Sequence, residues 1–204
     1  MGNEEITEER FFEIWKKVCK DKESELVKAW NKDRKEYSNV VLGHGNSGSV
    51  VCGIKNKLTG YDLQQEYYFC DVVYYKNGDC MDRNPIKATP ERRTPGEINE
   101  VWLKTIRIHL EHENDIENSW QEITQLCVMP GRELNVLVTY PNEKDDSQNI
   151  INAYKSILSE NDSCKGDFFH LLIIFGFLND QKDDIEWKGW KWNGTKLNEI
   201  TGQQ

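Results

Sequence analysis

Residues 101–140, VWLKTIRIHLEHENDIENSWQEITQLCVMPGRELNVLVTY, read as a strand, a helix and a second strand, with an acidic cluster where the first strand ends. Trp102, Ile106, Ile108 and Leu110 share one parity, and Arg107, His109, Glu111 and Glu113 the other. Alternate residues of a strand project from the same face, so Glu111 and Glu113 point the same way, ~7 Å apart. Two carboxylates that close repel each other unless a cation or a shared proton lies between them. The helix, 116–126, carries Trp120, Ile123 and Leu126 on one face, and the apolar run 134–140 has the composition of a strand buried on both faces.

Working outward toward the N-terminus, 76–100 is a long connection with Gly78, Pro85, Pro90, Pro95 and Gly96. It carries Arg83, Lys87, Arg92 and Arg93, a basic segment in an acidic chain, and these four are the candidate phosphate contacts if the protein handles nucleic acid. The alternative is a solvated loop. Before it, EYYFCDVVYY at 66–75 is dominated by β-branched and aromatic residues, as a strand requires. Asp71 interrupts that run, and a carboxylate in an apolar strand is costly unless it is paired or holds a metal. The competing reading is a buried Asp bonded to backbone or to an arginine such as Arg107.

Residues 7–36 read as one long helix, with Thr7 as N-cap and Phe11, Phe12, Trp15, Val18, Leu26 and Trp30 at helical spacing. Short strands are expected at 40–42 and 49–54, flanking the glycine-rich GHGNSGS. That turn lacks the Gly-Lys-Ser/Thr ending of a phosphate-binding loop. Toward the C-terminus, 147–158 has helical periodicity and 168–178 is an apolar strand. IEWKGWKW at 185–192 reads as an exposed edge strand, and 193–204 as a frayed tail. Trp187, Trp190 and Trp192 either pack on the sheet or offer a stacking surface for bases.

The 204 residues suffice for one domain with a real core, of mixed α/β (α+β) class. A formal charge of −9 argues against diffuse binding to a polyanion but leaves room for a local basic groove. Six cysteines without a CxxC pair suggest reduced thiols rather than a disulfide framework. An acidic start, MGNEEITEER, and the shortness of the longest apolar run imply a soluble, cytoplasmic protein with no membrane partner.

Asp71 in FCDVVYY, followed across a long connection by Glu111-His112-Glu113 at the end of the next core strand, resembles the signature of the PD-(D/E)xK nucleases. The resemblance covers roughly residues 61–178, with the helix at 7–36 as the family's first helix and the strand at 185–192 unassigned. It implies a restriction-endonuclease-like mixed central sheet flanked by helices, in a single domain over 1–204. It implies Asp71 and Glu111 as ligands of Mg²⁺ or Mn²⁺, with the His112 backbone carbonyl as a further ligand. Glu113 stands where the family usually has lysine, as in its less common ExE form, and would activate or hold the attacking water. Cys70 replaces the family's proline before the Asp. Arg107 and His109 are expected to support the ligands. The implied activity is cleavage of DNA, with a homodimer expected if both strands of a duplex are cut. A nuclease-like fold that binds nucleic acid or protein without cutting is the alternative, as is a purely structural metal site.

Overall fold

The computed structural model describes residues 6–43, 47–80, 103–142, 147–181 and 183–201. Four helices come first: α1 (Glu8–Asp21), α2 (Glu23–Trp30), α3 (Arg34–Val41) and α4 (Val50–Lys57). The expected helix over 7–36 is therefore three. Thr7 does cap its start, accepting from the Arg10 amide at 3.2 Å. A new helix begins at Arg34 because Asp33 adopts extended backbone and its carboxylate accepts from the Glu36 amide at 2.8 Å. The strands expected at 40–42 and 49–54 are instead the end of α3 and the body of α4. Ser49 caps α4 by accepting from the Cys52 amide, and Gly53 then lets α1 come close: a Cβ there would stand 2.7 Å from Val18.

A seven-stranded mixed sheet follows, flanked by helices, in the order β1 (Tyr61–Tyr67), β2 (Cys70–Lys76), β3 (Ile108–Glu113), β4 (Leu134–Thr139), β5 (Leu171–Leu178), β6 (Ile185–Trp192) and β7 (Leu197–Glu199). Pairings β1–β2 and β2–β3 are antiparallel, β3–β4 and β4–β5 parallel, β5–β6 and β6–β7 antiparallel. The two parallel pairings need crossovers, supplied by α5 (Ser119–Val128) and α6 (Ser147–Glu160). The single strand expected over 66–75 is a hairpin whose turn is Tyr68–Phe69, with Phe69 85 % exposed. The expected edge strand β6 is an interior one, because the expected frayed tail supplies β7, and Trp190 and Trp192 are buried.

Burial divides the sheet into two apolar layers. One face carries Val72, Tyr74, Ile108, Leu110, Val136 and Val138 against α1–α4. The other carries Leu137, Ile173 and Phe175 against α5 and α6. Strand β3 alternates between them, which sends His109 and Glu111 toward the second face and His112 toward the first. Gly131 fixes how tightly the turn after α5 meets the start of β3. A Cβ there would stand 2.5 Å from the Leu134 carbonyl oxygen and 2.8 Å from the His109 amide nitrogen. Among the described residues no helix is long and apolar enough to cross a membrane.

Candidate metal centre

Strands β2 and β3 pair with Val72 opposite Leu110 and Val73 opposite His109. One step further, Asp71 stands opposite Glu111 at the carboxyl end of β3. Here side chains replace the strand ladder. Asp71 Oδ2 accepts from the His112 amide at 2.8 Å, and the Asp71 amide donates to Glu111 Oε2 at 3.3 Å. The sheet thus brings the two acids together on one face, from segments 40 residues apart. One part of the alternative reading of Asp71 holds, since its Oδ2 bonds to backbone.

Glu111 is buried and engaged on both oxygens. His109 Nε2 lies 2.5 Å from Oε1, and Gln125 on α5 donates to the same oxygen at 2.9 Å. The Gln125 amide also donates to the Phe69 carbonyl, tying α5 to the β1–β2 turn. The other nitrogen of His109, Nδ1, sits 2.8 Å from the Met129 carbonyl oxygen. A carbonyl only accepts, so Nδ1 carries the hydrogen and Nε2 is turned into the site. This contact depends on the tight turn at Gly131.

Glu113, two residues on, shares the face of Glu111 and accepts from the Asp115 amide at 2.6 Å. A fourth acid, Glu122 on α5, completes the group. Burial, and then Glu111, Asp71 and Glu113 in turn, push its carboxyl up to about 7. Asp71 is likewise pushed up to about 7, first by burial and then by the Glu111 charge; Glu113 adds to the rise and the His112 amide opposes it. Neighbouring Cys70 is buried, and desolvation followed by the charges of Glu111 and Asp71 raises its thiol to about 12. Among the described residues no lysine or arginine pairs with Asp71, Glu111, Glu113 or Glu122. Among the described residues His109 is the basic side chain that touches this group, on Glu111, and four carboxylates facing one histidine fit a divalent ion with oxygen ligands.

The other expected residues lie elsewhere. The His112 side chain is on the opposite face, as strand alternation dictates. Its Nε2 is 2.8 Å from the Tyr140 hydroxyl, its ring stacks on Tyr37, and burial holds its pKa down at about 3. Only its main chain, whose amide Asp71 already holds, borders the acids. Arg107 does not support the ligands either. It precedes β3, at the far end from Glu111, and its guanidinium bonds Asp79 at 2.6 and 2.8 Å and Glu133 at 3.0 Å. Of the two expected supporting residues, His109 alone touches the site. Arg83, Lys87, Arg92 and Arg93 lie outside the described residues.

Glu122, Gln125 and Cys70 are the site residues that sequence reasoning missed. The signal for the first two was the polar pair one turn apart on a helix whose apolar face is Ile123, Leu126 and Cys127, not Trp120, which is 52 % exposed. Cys70 reads in the sequence only as a missing proline.

No family model matches the chain, and no curated protein matches it. Among solved structures, the crystal structure of the central domain of yeast acetyl-CoA carboxylase is similar over 93 % of this chain and 34 % of that one, with 11 % identity and a TM-score of 0.35. This chain spans about a third of that neighbour, and at that TM-score the likeness carries no argument about fold or function.

Proposed function

We propose that the protein is a divalent-cation-dependent phosphodiesterase, an endonuclease of PD-(D/E)xK type in its ExE form, acting on DNA. The observation that carries this reading is Asp71 set opposite Glu111 at a strand end, with Glu113 on the same face. Asp71 and Glu111 would hold Mg²⁺ or Mn²⁺, with the His112 carbonyl beside them. Bound there, such an ion neutralises charge on a phosphoryl group and lowers the pKa of water. Glu113 keeps Oε2 to accept a proton from water, since Oε1 holds the Asp115 amide. Glu122 stands beside these acids and is placed to take up or release a proton. Gln125 and His109 fix the rotamer of Glu111 and so orient the ligand that the others surround.

Supercoiled plasmid incubated with the protein tests the reading. Nicking in Mg²⁺ or Mn²⁺, absent in EDTA and reduced by more than about 100-fold in Asp71→Ala, is the expected result. A second reading, a nuclease-like fold that binds nucleic acid or a protein without cutting, draws on one observation: His109 and Gln125 already occupy Glu111 Oε1. Magnesium binding without nicking of any DNA would favour it.

A further inference from the structure

Glu111 also borders side chains of a different chemistry. Cys70 Sγ, a ring nitrogen of His109 and a Glu111 carboxylate oxygen all lie within 4.8 Å of one another, and all three residues are buried. Three atoms that close share a point within ~2.8 Å of each, against the ~2.0–2.3 Å that zinc takes to nitrogen, oxygen and sulfur. Parting His109 Nε2 from Glu111 Oε1, now 2.5 Å apart, is the movement a cation needs. An independent observation points the same way. The Met129 carbonyl holds His109 Nδ1, leaving Nε2 as the ring nitrogen turned toward Glu111, the arrangement that orients metal-binding histidines. Gln125 orients the carboxylate in turn. A sulfur–nitrogen–oxygen set suits zinc and its neighbours, and hard cations avoid it.

We propose that Cys70, His109 and Glu111 form a binding site for one zinc-class cation, distinct from the oxygen-lined position beside Asp71 and sharing the Glu111 carboxylate with it. Three protein ligands leave a fourth position for solvent or substrate, as in zinc sites that do chemistry. The two positions are addressed by separate oxygens: Oε1 faces His109 and Oε2 faces the Asp71 amide. This site does not depend on the phosphodiesterase reading, because its ligands stand whether or not DNA is cut.

Cobalt(II), which reports its ligands by absorption, tests the proposal on chelator-stripped full-length protein. One equivalent should bind with an intense visible spectrum of four-coordinate type and a near-ultraviolet sulfur-to-cobalt band, both erased by one equivalent of Zn²⁺. Cys70→Ser should remove the sulfur band and weaken Zn²⁺ binding by at least ~100-fold, whereas Asp71→Asn should leave the cobalt spectrum intact even where it abolishes Mg²⁺ binding and nicking. A wild-type cobalt spectrum without the sulfur band, or one that Cys70→Ser leaves unchanged, overturns the proposal. The wild-type spectrum decides even if the variant fails to fold, and loss of nicking with the spectrum retained bears only on the phosphodiesterase reading.

Discussion

Asp71 and Glu122 link the site to stability through pH. In the unfolded chain they ionise near 3.8 and 4.5, but in the fold both are held at about 7. Between those values the folded protein keeps protons that the unfolded chain has released, so stability falls as pH rises from ~4.5 to ~7. His112 works in the opposite sense. Its folded value, about 3, lies below the ordinary 6.5, so it stabilises the fold at neutral pH and loses that contribution as pH falls from 6.5 toward 3. Two acids against one histidine leave the net slope downward with pH. The expected outcome, in EDTA, is a higher melting temperature at pH 5.5 than at pH 8, and a smaller difference in Asp71→Asn or Glu122→Gln. Calorimetric melts at the two pH values check it; equal melting temperatures in the wild type would count against the buried-acid description. Glu111 and Glu113 were legible in the sequence because strand parity alone puts them on one face. His112 was legible only as main chain, and Arg107 misled because parity says nothing about where along a strand a residue falls. It shares a face with Glu111 but stands four residues away, beside Asp79.

At the scale of elements, local capping overruled periodicity. The apolar stripe from Phe11 to Trp30 continues at helical spacing, but Asp33 with Glu36 three residues on starts a separate helix. Asp33→Ala should therefore destabilise the protein by about 1 kcal/mol, read as a drop in the urea midpoint at constant slope. The misread α4 has a similar cause. Val50, Val51 and Ile54 have strand composition, but Ser49 caps a helix and Gly53 gives α1 its seat against it. Propensity yields to tertiary packing at such a place. The turn after α5 is under equally firm constraint. Gly131→Ala pushes a methyl group into the Leu134 carbonyl and the His109 amide, and should cost about 1–3 kcal/mol. It should also weaken cation binding by moving Met129 off His109. A variant with wild-type melting and wild-type metal affinity would show that the turn does not position the histidine.

Across the whole molecule, the mixed α/β class was readable from composition and hydrophobic patterning, whereas the mixed central sheet flanked by helices was expected only from the resemblance. The run at 171–178 is apolar on both parities, as a central strand covered on both faces must be, and 134–139 is buried throughout with only Asn135 and Thr139 polar. Hairpin and edge assignments were not readable, since Phe69 in the turn looks like any strand aromatic and the polar strand Leu197–Glu199 looks like a tail. What the topology accomplishes is to join β2 and β3 antiparallel and then carry α5 across the same face. That sequence of connections gathers acids from positions 71, 111, 113 and 122 at one strand end, where His109 is the basic side chain among the described residues that touches them. The account turns on a cation being what they await. Isothermal titration of the chelator-stripped protein with Mg²⁺ at pH 8 measures this most directly. The prediction is saturable binding to the wild type that Asp71→Ala abolishes; no binding to the wild type, or equal binding to the variant, would contradict it.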